Sequence, residues 1–285
     1  MKIDYKLNRS GILNKITNIN SLDSEIDLSE ILFADVFGII SLILLLKREV
    51  NNEKKFDIKM PQNLNVSNYL HICGFVDYIK DFANIKYNGF NIFSRIYGVT
   101  QISSNKDYIP IQVIHSDNDV NKLVLEIMDW LKNKGINEKE IGQIFTLLLE
   151  LLGNSLDHGK SSEPCIFLMQ KYNKQLMISI ADFGIGIKEC LENNSKNKNL
   201  FSTNEEAMNF IFKGDNYISS EDERGRGNGF YGLNKFIKER KDSFSICSRD
   251  GYYYSGFNND GKLYRESNKI CDLYGTHVNL NIKLN

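Results

Sequence analysis

The sequence predicts an α/β protein built of two units, residues 1–105 and 106–285, and three patterns in it carry that reading. In the first unit strand and helix signals alternate, the order of a small α/β layer. In the second, Val120, Leu123, Val124, Ile127, Met128 and Leu131 recur at helical spacing and mark one buried helix face. At the end of the chain Val278, Leu280, Ile282 and Leu284 alternate with polar residues, the period of a half-buried strand.

Taken in order, residues 26–34 read as a strand and 36–48 as an apolar helix. Residues 56–60 alternate as a short strand that Pro61 ends. Short helices follow over 66–72 and 76–82. The second unit opens on a strand, 109–115, and continues with the amphipathic helix and a more apolar one over 141–157. Residues 165–170 and 176–181 read as neighbouring strands, 230–240 as a helix, and 243–248 and 251–257 as strands around a turn. Helices on a mixed, largely antiparallel sheet make this unit a two-layer α/β sandwich.

Composition narrows the class. Apolar residues make up 42% of the chain, enough for packed cores, and 35 basic against 36 acidic residues leave a net charge of −1. That balance supports neither a general nucleic-acid binder nor a membrane-surface protein held by charge. Cys73, Cys165, Cys190, Cys247 and Cys271 are scattered and form no CxxC pair. They read as reduced thiols of a cytoplasmic protein rather than disulfides or a zinc site. The first ten residues lack the apolar core of a signal peptide. The apolar run 31–46 is broken by Asp35 and falls short of the roughly 18 uncharged residues of a spanning helix, so it reads as a buried strand–helix segment. Abundant Asn, Lys, Ile, Tyr and Phe fit an AT-rich, bacterial genome.

Three short motifs carry the chemistry. Glu150, Asn154 and His158 are spaced by four on a Leu-rich helix and share one stripe. They read either as a metal-and-base stripe or as the polar edge of a core helix. An apolar strand ends at Asp182, and Gly184 and Gly186 follow. A carboxylate there can accept a hydrogen bond from the amino group of a base, and the glycines let the backbone turn close to a flat ligand. The alternative is an ordinary strand-to-loop turn. Last come Arg224, Gly225, Arg226, Gly227, Asn228, Gly229, Phe230, Gly232 and Leu233, a glycine-rich loop feeding a helix. Its free N–H groups and the positive helix end suit phosphate. The GxGxxG inside it is not a dinucleotide fingerprint, because a long polar stretch and not a first strand precedes it.

In this order the motifs resemble those of the GHKL ATPases, the ATP-binding domains of gyrase, chaperone, MutL and histidine-kinase type, across about residues 115–285. ELLGNSLDHG resembles the N box, DFGIGI the first glycine box, GRGNGFYGL the second, and Gly275-Thr276 the GT element. The resemblance implies a two-layer ATP-binding fold with ATP and Mg²⁺ as cofactors. It implies Asn154 as Mg²⁺ ligand, Glu150 as general base, Asp182 as the adenine-reading carboxylate and Thr276 as its helper. Asp157, His158, Gly184, Gly186, Ile187 and the second glycine box would complete the nucleotide site. Residues 187–224 would be the ATP lid, a polar flap in which Ser202-x-x-Glu205 caps a short helix. The lid is most similar to anti-sigma-factor kinases, whereas the N box is closer to gyrase and MutL. With the GT strand last in the sequence, no transducer domain is expected, and no phosphoacceptor helix is expected before the ATP unit. His71, His115 and His277 have no partner pattern and read as structural. The first unit resembles a STAS domain through residues 26–50, FDIKMP and YLHICGF. Asp35-Val-Phe-Gly38 stands where regulatory members carry a phosphorylatable hydroxyl.

The expected function is an ATP-binding, ATP-hydrolysing regulatory protein whose nucleotide state switches its interaction with a partner protein. The alternatives are a serine/threonine kinase of the anti-sigma type and a non-hydrolysing ATP-sensing module. Many relatives work as homodimers, although no dimer helix is evident in this sequence.

Overall fold

The computed structural model describes residues 1–16, 24–50, 56–87, 106–159, 163–193, 199–213, 229–258 and 260–284. Its N-terminal part holds β1 (Lys6–Leu7), α1 (Arg9–Ile16), β2 (Glu25–Asp27), β3 (Phe33–Ala34), α2 (Val36–Val50), β4 (Phe56–Lys59), α3 (Leu64–Ile72), α4 (Phe75–Ile79) and β5 (Ala83–Lys86). There follow β6 (Tyr108–Ile114), α5 (Asp117–Asn133), α6 (Glu138–Gly159), β7 (Cys165–Tyr172) and β8 (Gln175–Asp182). The chain continues through α7 (Ile187–Glu192), α8 (Asn204–Lys213), α9 (Gly229–Arg240), β9 (Ser243–Phe257) and β10 (Leu263–Lys283). The fold is α/β, as the sequence predicts.

Five strands form the main sheet in the order β6-β7-β8-β10-β9, and every neighbouring pair is antiparallel, so the expected mixed sheet is antiparallel throughout. Strand alternation sends Phe167, Met169, Ile178, Ile180, Ile246, Val278 and Leu280 to one face. They pack there against α5, α6, α8 and α9 in one buried core. Ile166, Leu168, Ala181 and Cys247 point the other way, into a second core built with the N-terminal elements. Those elements carry a parallel sheet, β2-β4-β5, and the short parallel pair β1-β3.

Helix α2 joins the two parts. Every residue from Val36 to Leu46 is buried, as is Glu49, so this helix has no solvent face over three turns. An all-round apolar helix belongs inside a protein or a membrane, and here it is clasped between the N-terminal sheet and β7, β8 and β10. Among the described residues no helix is long and apolar enough to cross a membrane. Asp35, which interrupts the apolar run, is the helix cap: its Oδ1 accepts the Gly38 N–H at 2.9 Å. Burial pushes this carboxyl up to about 6 although that bond pulls it down. Gly38 lies against the backbone of β1, where a Cβ would come within 2.2 Å of the Leu7 oxygen. No rotamer relieves a clash with backbone, so Gly38→Ala should destabilise the fold by about 2–4 kcal/mol, read as the shift of a denaturant midpoint.

Three sequence expectations are corrected. Residues 26–34 are not one strand: Asp27 Oδ1 accepts the Ser29 N–H at 2.9 Å and turns the chain between β2 and β3. The supposed turn near Asp250-Gly251 is absent, and β9 runs unbroken because β10 pairs with it on both sides, Leu273 opposite Arg249 and Lys269 opposite Gly251. Register shifts in β10 absorb the extra residues between them. The chain reverses instead at Asn258, whose N–H donates to the Lys262 oxygen. Finally, the last strand is half-buried only at its end, where Lys283 is exposed: His277, packed against Phe37 and Ser41 of α2, and Asn279 are 0% and 8% exposed. The five cysteines are free thiols, in keeping with the sequence.

Candidate functional site

A cleft of about 560 Å³, open solvent at its mouth included, lies between α6, the α7 start, α8, α9, the end of β8 and the Thr276 to Val278 stretch of β10. Asp182, last in β8, pairs in register with Thr276 of β10, and Thr276 with Ser248 of β9. Cross-strand partners share a face, so these three polar side chains stand in a row, Asp182 and Thr276 at the cleft floor and Ser248 fully buried beside them. Asp182 Oδ1 accepts two backbone N–H groups, from Gly184 at 2.9 Å and Thr276 at 3.2 Å. Among the described residues its Oδ2 takes no hydrogen bond. Burial pushes the carboxyl up to about 7, against the two N–H groups, which lower it. Gly275, at φ +87°, lets β10 come this close, since a Cβ there would meet the backbone oxygen of Asp182 at 2.0 Å. Ser248 Oγ accepts the Ile187 N–H at 2.8 Å and sits 3.4 Å from Thr276 Oγ1, tying the start of α7 to the row.

The wall opposite the floor is α6. Asn137 starts this helix with a reciprocal cap: its Oδ1 accepts the Glu140 N–H at 2.9 Å, and its amide donates back to Glu140 Oε2. Arg240, at the end of α9, pairs with both Glu140 and Asp242 and so fixes α9 against α6. The two helices touch where Glu150 meets Gly232. A Cβ on Gly232 would come 2.5 Å from Glu150 Oε2, so only glycine leaves the carboxylate its place. Glu150 is half-buried, and loss of water raises its pKa above the usual carboxylate range. Gly232→Ala should therefore swing the flexible Glu150 head aside with little change in melting temperature. If Glu150 is the base of a hydrolytic reaction, turnover should fall by about tenfold or more, read as phosphate release.

The structure brings Asn154, Asp182, Gly186, Ile187, Phe230 and Thr276 of the predicted set together at one cleft. Gly184 contributes its backbone N–H. Leu233 is different: it is fully buried in the core below α9. Asp157 is exposed on α6. Arg224, Gly225, Arg226, Gly227 and Asn228 lie outside the described residues, as does the side chain of His158, and Gly229 opens α9.

Within 187–224 the described parts are α7, α8 and the residues next to them. The cap of α8 is Thr203 with Glu206, one residue on from the expected Ser202 and Glu205. Thr203 Oγ1 accepts the Glu206 N–H at 3.1 Å, and Glu206 Oε2 accepts the Ser202 N–H at 2.7 Å. The expected polar flap is also corrected for α8, which buries Ala207, Met208 and Phe212 in the core. Its Ile211 joins Leu151, Cys190, Leu191 and Val278 as apolar wall of the cleft. Ala207, Met208, Ile211 and Phe212 fall at helical spacing, a signal in the sequence that would have revealed this wall. Ser248 carried no such signal, because its role follows from strand register alone.

No protein-family model matches the chain, and no curated protein is significantly similar to it in sequence.

Proposed function

We propose that this chain is an ATP-binding regulatory protein of the GHKL type that hydrolyses ATP slowly and changes its docking to a partner protein with nucleotide state. One observation carries the reading: a buried carboxylate, Asp182, has one oxygen that takes no hydrogen bond among the described residues, at the floor of an apolar cleft beside the Thr276 hydroxyl. An exocyclic amino group is the donor that such an oxygen lacks, and the apolar side chains of Leu151, Ile187, Ile211, Phe230 and Val278 suit a flat heteroaromatic ring. The ionised form of Asp182 accepts that bond best, so binding should strengthen as pH rises through about 7.

The rest of the cleft fits a nucleotide. The α9 N-terminus opens at Gly229, and helix N-termini favour phosphate. Asn154, on the α6 wall, would hold Mg²⁺ through its side-chain oxygen, and the ion when bound would neutralise phosphate charge. Glu150 lies one helical turn before Asn154, and its raised pKa suits a group that takes a proton from water near neutral pH.

Calorimetric titration of Mg²⁺–ATP into the wild-type chain, with phosphate release followed in parallel, tests the proposal. Saturable binding with slow release is the expected result. Binding without release would favour a partner-dependent kinase or a non-hydrolysing sensor, and no binding would overturn the nucleotide reading.

A further inference from the structure

The cleft and the N-terminal layer occupy opposite faces of the same strands. Side chains alternate along a strand, so the residue after each floor residue points away from the cleft. Phe183 follows Asp182 and turns into the core shared with the N-terminal elements, where the Lys47 ammonium of α2 lies 5.7 Å from its ring. Lys47 is held there by Glu163 at 2.7 Å. His277 follows Thr276 and is fully buried beneath α2, with the Phe37 ring 4.9 Å away.

The hydrogen bonds of His277 have one consistent direction. Ser179 Oγ donates to Asn279 Oδ1 at 2.7 Å, which uses its only hydrogen. Ser179 must then accept from His277 Nε2, 3.3 Å away. The neutral ring is left with an acceptor at Nδ1, which takes the Ser41 hydroxyl of α2 at 3.2 Å. The line Ser41–His277–Ser179–Asn279 therefore crosses from α2 into β10 and β8 with every hydrogen assigned.

From these contacts we propose that α2 is coupled to the cleft: a nucleotide seated on Asp182 and Thr276 is felt by α2 through Phe183 and His277. By reciprocity, the contacts of α2 set nucleotide affinity. The proposal rests on the nucleotide reading above. Ser41 and His277 act as positioning residues, since neither lines the cleft. A close-packed core passes a shift of one strand to its neighbour rather than absorbing it.

Hydrogen exchange and calorimetry test this together, on the wild-type chain, Ser41→Ala and Lys47→Met. ATP should slow exchange of the α2 amides in the wild type. Ser41→Ala should bind ATP about fivefold more weakly, and its α2 amides should no longer respond. Lys47→Met keeps the aliphatic stem and should do the same to a smaller degree, so it carries the test if Ser41→Ala fails to fold. A purely structural role would lower melting temperature without moving the ATP response of α2. Wild-type protein that binds ATP with α2 exchange unchanged overturns the coupling alone, as do folded variants with wild-type affinity. Wild-type protein that binds no ATP overturns the nucleotide reading and the coupling with it.

Discussion

Asp182→Asn should lose nucleotide binding and, in the same protein, gain thermal stability. The two effects have one cause. In the free chain the carboxylate is buried, and among the described residues its partners are two backbone N–H groups, both on Oδ1. Its folded pKa, about 7, lies above the ordinary 3.8, so the folded state favours the protonated form. Stability from this group is therefore fully present below about pH 4 and is lost as pH rises through about 7. Asparagine does not ionise and escapes that loss. Its melting temperature should pull ahead of the wild type between pH 4 and pH 7 and keep a constant lead above. Its oxygen can still accept the Gly184 and Thr276 N–H groups, but the amide nitrogen then faces the cleft as a donor. A base amino group meets a donor instead of a charged acceptor, a loss of about 3 kcal/mol or 100-fold in affinity. Calorimetry with ATP and thermal melts from pH 4 to pH 8 check both halves. A variant that binds as the wild type does would end the assignment of Asp182 as the base-reading group.

The second large effect is on turnover. Glu150→Gln is isosteric and keeps the contact with Gly232, so ATP affinity should change by less than about threefold. Phosphate release should fall by about 100-fold or more, because the amide cannot take a proton from water. In the wild type the rate should drop as pH falls through the raised pKa of Glu150, and Glu150→Gln should lack that limb. Equal release by wild type and variant would remove Glu150 from the chemistry.

Much of this was legible in the sequence where local pattern decides. Val120 to Leu131 announce α5 by spacing alone, and a carboxylate ending an apolar strand marks Asp182 as the cleft floor. What long-range pairing decides was not legible. Asp250-Gly251 has the chemistry of a turn, yet β9 continues through it, with Arg249 in left-handed backbone, because β10 runs alongside. His277 looks like a solvent-facing position of a terminal strand, and the docking of α2 buries it. Ser248 joins Asp182 and Thr276 through a register that no single segment encodes. The short helix α8 was legible from its cap, but its buried face was not: polar surroundings masked four apolar residues at helical spacing.

The all-round burial of α2 also bears on how this protein can be taken apart. Cut at residue 106, the C-terminal part would present Ile166, Leu168, Ala181 and Cys247 to water, together with a histidine whose buried surroundings depress its pKa to about 3. The N-terminal part would be left with a helix that has no polar side to show. Each fragment would carry the sticky surface of the other, and aggregation would follow. A signal that required the halves to separate would expose both surfaces at every cycle. The coupling proposed above instead needs one half to lean on the other while they stay joined.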